Sequence, residues 1–233
     1  MCRRTKTACS LLGADPARWP KFEVLPAVAA VVDGFEPLEA AIRHAADGDA
    51  VGAREKLSRI DGPAILEWYV EHAQVAGTRR IAVLQSRSVP GPVEEIDRPY
   101  PQAKIEAEVF RRDGFRCRYC QRRVLSRSVL KAFHGVVGDD LFQMGPTNAS
   151  THGAALAFRA VADHLVARKR GGKTDPANLL TACYPCNFGK AEYSLEELRL
   201  EPPRPPIVDA WDGLEALLPR LRAAGSPAAT FAG

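Results

Sequence analysis

The residues of this chain that most clearly suggest chemistry are four cysteines in two CxxC pairs. Cys117 and Cys120 lie in FRCRYC, and Cys183 and Cys186 lie in TACYPC. Two such pairs can present four thiolates at the corners of a tetrahedron, which is the ligand set of a closed structural zinc site. A single CxxC pair is weak evidence, but two pairs flanked by glycine and aromatic residues favour one shared metal over four unrelated thiols. We therefore predict that these cysteines bind one structural Zn²⁺.

A second group of polar residues lies around and between the pairs. The stretch VADHLVARKRGG, residues 161–172, places Asp163 and His164 after an apolar run, Asn178 follows, and Asn187 comes directly after the last cysteine. Carboxylate and amide oxygens suit Mg²⁺ or Mn²⁺, and an imidazole with a pKa near neutrality suits a general base. Neighbouring side chains on a strand point to opposite faces, so alternation alone does not bring Asp163 and His164 to one site.

Three segments together resemble the HNH endonuclease family with a four-cysteine zinc knot: RRDGFRCRYC, ADHLVARKRGG and PANLLTACYPCNFGK. The resemblance covers about 90 residues and combines several spaced motifs. It implies a ββα-metal module in an α+β chain. Asp163 and His164 would lie on the first strand, Asn178 at the start of the second, and Asn187 on the helix.

The resemblance also implies a reaction. Asp163 and Asn187 would hold a catalytic Mg²⁺ or Mn²⁺, His164 would act as the general base for hydrolysis of a DNA phosphodiester, and Asn178 would brace the loop that holds the histidine. The chain departs from many relatives at Ala167, where proline is common, and at Asn187, where histidine is common. It also has 42 residues between Cys120 and Asp163, which we interpret as an insertion at about 125–158.

Two histidines in this insertion, His134 and His152, offer either a further contact to DNA or metal, or simple packing. Packing is the more frequent role for such residues.

The positive charge of the chain is concentrated near these motifs. Residues 101–200 carry 16 basic and 10 acidic side chains, a net charge of +6, whereas residues 1–100 and 201–233 each carry a net charge of −1. Such a field suits a polyanion, although a solvated basic face is the alternative. We expect five basic residues to contact nucleic acid: Arg168, Lys169, Arg170, Lys173 and Lys190.

The remaining sequence predicts a three-part organisation. Residues 1–98 form a mainly helical region, with helices over 37–49, 49–62 and 63–77; residues 99–200 form the nuclease domain; residues 201–233 form a proline-rich spacer and a C-terminal helix within 207–225. The longest mostly apolar run, residues 24–32, is too short to span a membrane. The first residues lack the long apolar run of a secretory signal, so we expect a cytoplasmic protein.

Three functions are compatible with these features. The first is a metal-dependent endonuclease acting on DNA, duplex DNA in the first place. The second is a non-catalytic zinc-ribbon module in which the basic residues bind nucleic acid and the Asp-His pair only packs. The third is a nuclease effector controlled by a protein partner through the N-terminal helices. The sequence does not indicate an oligomeric state.

Overall fold

Helices and one short sheet make up the regular structure of the computed structural model, which describes residues 9–73, 75, 77–79 and 103–225. The α-helices include α1 (Ala29–Asp33), α2 (Phe35–Ala46), α3 (Ala50–Leu57), α4 (Gly62–His72), α5 (Ala103–Arg112), α6 (Arg127–Val137), α7 (Gly153–Phe158), α8 (Tyr184–Lys190) and α9 (Leu218–Ala224). Strands β1 (Ala160–His164) and β2 (Leu179–Cys183) pair antiparallel. The predicted α+β class is therefore confirmed. Within the described ranges, no helix combines the length and apolarity that crossing a membrane requires.

The helix starts follow the capping residues in the sequence. Asp49 precedes α3, and its carboxylate accepts the N–H of Gly52 at 2.8 Å. Ser126 precedes α6, and its hydroxyl accepts the N–H of Val129 at 3.2 Å. These bonds satisfy backbone donors that the first turn of a helix leaves without partners.

The chain folds into two compact units, each assembled from three separate stretches. Unit 1 comprises Met1–Pro26, Glu71–Val124 and Ala160–Trp211, and unit 2 comprises Ala27–Val70, Leu125–Arg159 and Asp212–Gly233. The consecutive division predicted from the sequence differs from this arrangement. Its first boundary, between residues 98 and 99, lies outside the described residues. The physical reason for the difference is that apolar helix faces far apart in sequence share one core.

Unit 2 is a helical unit to which the predicted insertion contributes. Helix α2 packs against α3, and α6 packs against both α2 and α9. Phe35 and Phe158, from the first and second stretches of the unit, meet edge to face with ring centroids 5.1 Å apart. The stretch Leu125–Arg159 covers the residues at about 125–158 that the sequence predicts as an insertion, and it supplies part of the hydrophobic core of unit 2.

Both histidines of the insertion make packing contacts in unit 2. The ring of His152 stacks on Phe142 with centroids 4.9 Å apart, and its Nδ1 accepts the N–H of Ala154. The Nδ1 of His134 lies 2.8 Å from the carbonyl oxygen of Phe142. These contacts favour the packing role for both residues.

Unit 1 is organised around the β1–β2 hairpin, on which α5 packs. The carboxylate of Asp113, just after α5, is fully buried and accepts the N–H of Thr181 in β2 at 2.7 Å. Arg112 and Arg118 each pair with this carboxylate at 2.9 Å. Burial pushes the pKa of Asp113 upward, but the bonds from Arg112 and the Thr181 N–H outweigh it and hold the pKa below its ordinary value. An ionised anchor therefore fixes the second strand.

Residues 201–206, predicted as a spacer, belong to unit 1. The N–H of Glu201 donates to the carbonyl of Lys21, and Arg118 donates to the carbonyl of Arg204 at 2.6 Å. The C-terminal helix is shorter than the predicted segment of 207–225, because Leu214 adopts a left-handed backbone conformation and α9 begins only at Leu218, with Pro219 in its first turn. Proline favours the first turn of a helix, where no intrahelical donor is needed.

Candidate active site

The four predicted metal-binding cysteines come together in unit 1. Their sulfur atoms all lie within 4.8 Å of one another, and the Sγ atoms of Cys120 and Cys183 are 3.8 Å apart. Four sulfurs bound at about 2.3 Å to a tetrahedral ion are themselves separated by about 3.8 Å. Three of the cysteines are buried and Cys120 is half-buried. The cluster therefore has the spacing and burial to hold a metal such as zinc.

Backbone geometry and one cation support this cysteine cluster. Gln121 adopts a left-handed conformation and donates its N–H to the carbonyl of Cys117, which turns the chain sharply after the first pair. The Nε of Arg122 donates to Cys120 Sγ at 3.2 Å. A divalent ion with four thiolates carries a net negative charge, and the adjacent guanidinium offsets part of it.

Three of the four residues predicted to serve catalysis line a cleft of about 550 Å³ in unit 1, and Asn178 is not among its lining residues. Its walls include Asp163 and His164 from the end of β1 and Asn187 from α8. Alternation along β1 would separate Asp163 from His164, but the strand ends at His164, and both residues border the cleft. The remaining lining residues are Ala167, Arg168, Lys169, Phe188, Ala191 and Glu192.

Asp163 lies at the buried side of the cleft, with only 5% of its surface exposed. Its Oδ2 accepts a hydrogen bond of 2.6 Å from the hydroxyl of Tyr119 and lies 3.4 Å from the Nζ of Lys190. Burial raises the pKa of Asp163 above its ordinary value, although the Lys190 ammonium and the Tyr119 hydroxyl act in the opposite direction. A buried carboxylate is thus held by one neutral and one cationic donor.

His164 is half-buried, and its ring is fixed from one side. Its Nε2 lies 2.9 Å from the hydroxyl oxygen of Thr174. Burial lowers the pKa of His164 below its ordinary value, and the positive charges of Arg168 and Lys190 lower it further. The neutral imidazole is therefore favoured near pH 7, which is the form that can accept a proton.

Asn178 closes the loop between the two strands. Its Oδ1 accepts the N–H of Val166 at 2.9 Å, and its Nδ2 donates to the carbonyls of Val166 and Lys173. Gly171 has a φ of 82°, and a side chain on Gly172 would overlap the carbonyl oxygen of Val166. The glycine pair thus permits the turn, and Asn178 holds the two ends of the loop together.

Comparison with known proteins gives a match for the segment that carries Asp163, His164 and Asn187. Residues 157–192 match the family model for HNH endonuclease. The HNH resemblance is confirmed. The matched residues comprise β1, the connecting loop, β2 and α8, which together form the ββα element of the HNH module. Neither the curated proteins nor the solved structures contain a match to the chain.

The basic residues of the HNH module have different surroundings. Arg168 lines the cleft, and Lys173 is exposed. Lys169 pairs with Glu192 at 3.1 Å while remaining two-thirds exposed. Arg170 pairs with Glu197 at 2.9 Å in a largely buried position, where Glu197 also accepts the N–H of Ser194.

Lys190 corrects one expectation. We predicted that it would contact nucleic acid, but its side chain is 0% exposed, and its Nζ donates to the carbonyl of His164 at 2.9 Å. A side chain with no accessible surface cannot reach a phosphate outside the protein. The ammonium instead faces the buried carboxylate of Asp163.

Sequence reasoning missed three residues at the HNH site. Thr174 contacts the histidine ring, Tyr119 contacts Asp163, and Glu192 borders the cleft beside Lys169. The position of Tyr119 inside the first CxxC pair was visible in the sequence, but nothing in its spacing pointed toward Asp163. The positions of Thr174 and Glu192 depend on the conformation of loops, which the composition of the sequence does not predict.

Proposed function

We propose that unit 1 is a metal-dependent HNH endonuclease that hydrolyses phosphodiester bonds in DNA. One observation carries the proposal: Asp163, His164 and Asn187 line a single cleft within the segment that matches the HNH family. A carboxylate, an imidazole and an amide at one cleft are the groups that such a hydrolysis needs. The family match by itself supports a nuclease-type function at a coarser level.

His164 is the general base in this proposal. An Nε2 proton donated to the Thr174 hydroxyl leaves the Nδ1 lone pair to take a proton from the attacking water. The lowered pKa of His164 keeps that lone pair available near neutrality. General-base assistance contributes roughly 10²- to 10⁴-fold in rate, so positioning and charge stabilisation must supply the larger part of the acceleration.

Asp163 and Asn187 would hold a catalytic Mg²⁺ or Mn²⁺. Both side chains offer the hard oxygen donors that these ions prefer, and both border the cleft beside His164. When bound there, the ion would supply positive charge that stabilises the phosphorane and the departing 3′ oxygen. The cysteines would hold Zn²⁺. Four thiolates would close its coordination sphere, so this ion would have a structural role only.

Three basic side chains are suited to bind the DNA backbone. Arg168 lies in the cleft wall, and Lys169 and Lys173 are exposed on the same loop. Phosphate contacts of this kind fix the register of a protein on DNA without reading its sequence. Arg170 is assigned the same role with less exposed surface, because its guanidinium already pairs with Glu197.

A cleavage assay with the full chain tests this function. Plasmid and short duplex or single-stranded DNA are incubated with Mg²⁺ or Mn²⁺, with and without EDTA. We expect metal-dependent cleavage that EDTA abolishes. His164→Ala should lose nearly all cleavage while keeping DNA binding, whereas His44→Ala, a change at a histidine of unit 2 that contacts Asp49, should cleave at the wild-type rate.

Two outcomes of this assay contradict the proposal. Unchanged cleavage by His164→Ala removes the histidine from the mechanism. DNA binding without cleavage under any divalent metal favours the non-catalytic zinc-ribbon module instead.

A further inference from the structure

One buried contact joins the cysteine cluster to the cleft. Tyr119 lies between Cys117 and Cys120, the two cysteines of the first pair, and its side chain is 1% exposed. Its hydroxyl donates to Asp163 Oδ2 at 2.6 Å. The short distance is typical of a hydroxyl bound to an ionised carboxylate. The same loop that supplies two cluster thiols therefore holds the carboxylate of the cleft.

The second cysteine pair reaches the same carboxylate through α8. This helix carries Cys186 and Asn187 and ends with Lys190, whose Nζ lies 3.4 Å from Asp163 Oδ2. Lys190 also donates to the carbonyl of His164, the residue that ends β1. Each cysteine pair thus sends one donor to Asp163, and the two donors arrive from different elements.

This arrangement constrains the rotation of the Asp163 carboxylate. A carboxylate has two oxygens, and Tyr119 binds Oδ2, while the Lys190 ammonium lies at 3.5 Å from Oδ1. Free rotation about the last side-chain bond would break the short Tyr119 contact and leave a buried hydroxyl without a partner, which costs free energy. The orientation that Asp163 presents to the cleft is therefore set by Tyr119.

We propose that Tyr119 is a positioning residue that orients Asp163 for a divalent cation in the cleft and thereby couples the cysteine cluster to metal binding there. The inference rests on the proposed function, which assigns Asp163 as a ligand of the catalytic ion. Hydrogen-bonding partners of ligating carboxylates affect metal affinity or activity by roughly 10- to 100-fold. Tyr119 lies between two ligands of the cysteine cluster and donates to Asp163, so the two metal sites are linked through one hydroxyl.

Binding of Mn²⁺ to the full chain tests the inference without relying on activity. Free Mn²⁺ is measured by electron paramagnetic resonance in a titration of protein whose cysteine-bound metal has been quantified. Tyr119→Phe removes only the hydroxyl, and we expect it to weaken Mn²⁺ binding by roughly 10- to 100-fold. Cysteine-bound metal should stay near that of the wild type, and the melting temperature should fall modestly, because a buried carboxylate loses one of its donors.

The second cysteine pair provides a matched control. Tyr184 lies between Cys183 and Cys186 as Tyr119 lies between the first two cysteines, and its ring packs edge to face on Phe188. Tyr184→Phe keeps this ring contact and should leave Mn²⁺ binding unchanged. A double variant, Tyr119→Phe with Asp163→Asn, should bind Mn²⁺ no more weakly than Asp163→Asn alone, since Tyr119 acts through the carboxylate.

The outcomes separate this inference from the proposed function. Unchanged Mn²⁺ binding by Tyr119→Phe overturns the inference, and so does a further loss of binding in the double variant. Loss of the cysteine-bound metal from Tyr119→Phe also overturns it, because the hydroxyl would then act on the cluster itself. If Tyr119→Phe weakens Mn²⁺ binding as expected but the wild type cleaves no DNA, the inference stands and the proposed function fails.

Discussion

The buried ion pair between Lys190 and Asp163 leads to a prediction about the free energy of unfolding. Replacing Lys190 with Met keeps most of the length and apolar volume of the side chain but removes the charge. Asp163 then remains as a 5% exposed carboxyl group without its cation, and the carbonyl of His164 loses a donor. Removing one partner of a buried ion pair typically destabilises a protein by about 3 to 5 kcal/mol. Because Tyr119 still donates to Asp163, we expect about 3 kcal/mol, the lower end of that range.

The free energy of unfolding is measured by denaturant titration. Release of the cysteine-bound metal serves as the signal, because the cysteines belong to unit 1. Asp163→Asn alone leaves Lys190 buried without its anion, so this variant should also be destabilised. The double variant Asp163→Asn with Lys190→Met contains neither charge. Its cost should be smaller than the sum of the single costs by about 2 kcal/mol, within the range found for residues in direct contact.

A surface pair offers the control for this prediction. Lys169 pairs with Glu192 at 3.1 Å, but the two side chains are 66% and 45% exposed. Lys169→Met should therefore cost less than about 1 kcal/mol, as exposed ion pairs do. A cost below about 1 kcal/mol for Lys190→Met as well, or strictly additive costs in the double variant, would refute the assignment of Lys190 to the buried interior.

Two further predictions concern the other parts of the chain. Cys183→Ser should lose the cysteine-bound metal and unfold unit 1, because structural zinc contributes about 10 to 16 kcal/mol in small modules; an unchanged melting curve with full metal content would contradict this. Burial lowers the pKa of His152 below its ordinary value of 6.5, so the unfolded chain binds more protons than the folded chain as the pH falls through 6.5, and stability decreases there. His152→Asn keeps an acceptor for the Ala154 N–H but cannot titrate. Between pH 8 and pH 5 the melting temperature of this variant should therefore fall less than that of the wild type, by roughly the contribution of one titrating group. An equal pH dependence of the melting temperature in the two proteins would contradict this prediction.

The cysteine cluster and the strand-and-helix order of the HNH module were predictable from the sequence because they depend on local spacing. A CxxC pair confines two thiols to one turn of chain, and two pairs that follow short apolar segments have few ways to combine. The division into two units was not predictable, because it depends on which distant helices share a core.

The surroundings of the five basic residues differ in ways that their charge alone does not predict. Five residues carry the same charge and were assigned the same role, yet the structure buries Lys190, pairs Arg170 with Glu197 and leaves Lys173 exposed. Composition reports the charge of a side chain but not the direction in which it points. That direction is fixed by the element that carries it and by the partner that lies opposite.

Lys190 illustrates how an element determines such a direction. Asn187 and Lys190 are three residues apart on α8, so they lie on neighbouring positions of one helix face. The helix packs on β1, and Asp163 lies near the end of that strand. A polar residue at 187 therefore borders the cleft, and a long cationic side chain one turn later meets the buried carboxylate. Because the Lys190 ammonium lies 3.4 Å from Asp163 Oδ2, the helix that carries Asn187 also supplies the cation that offsets part of the cost of burying Asp163.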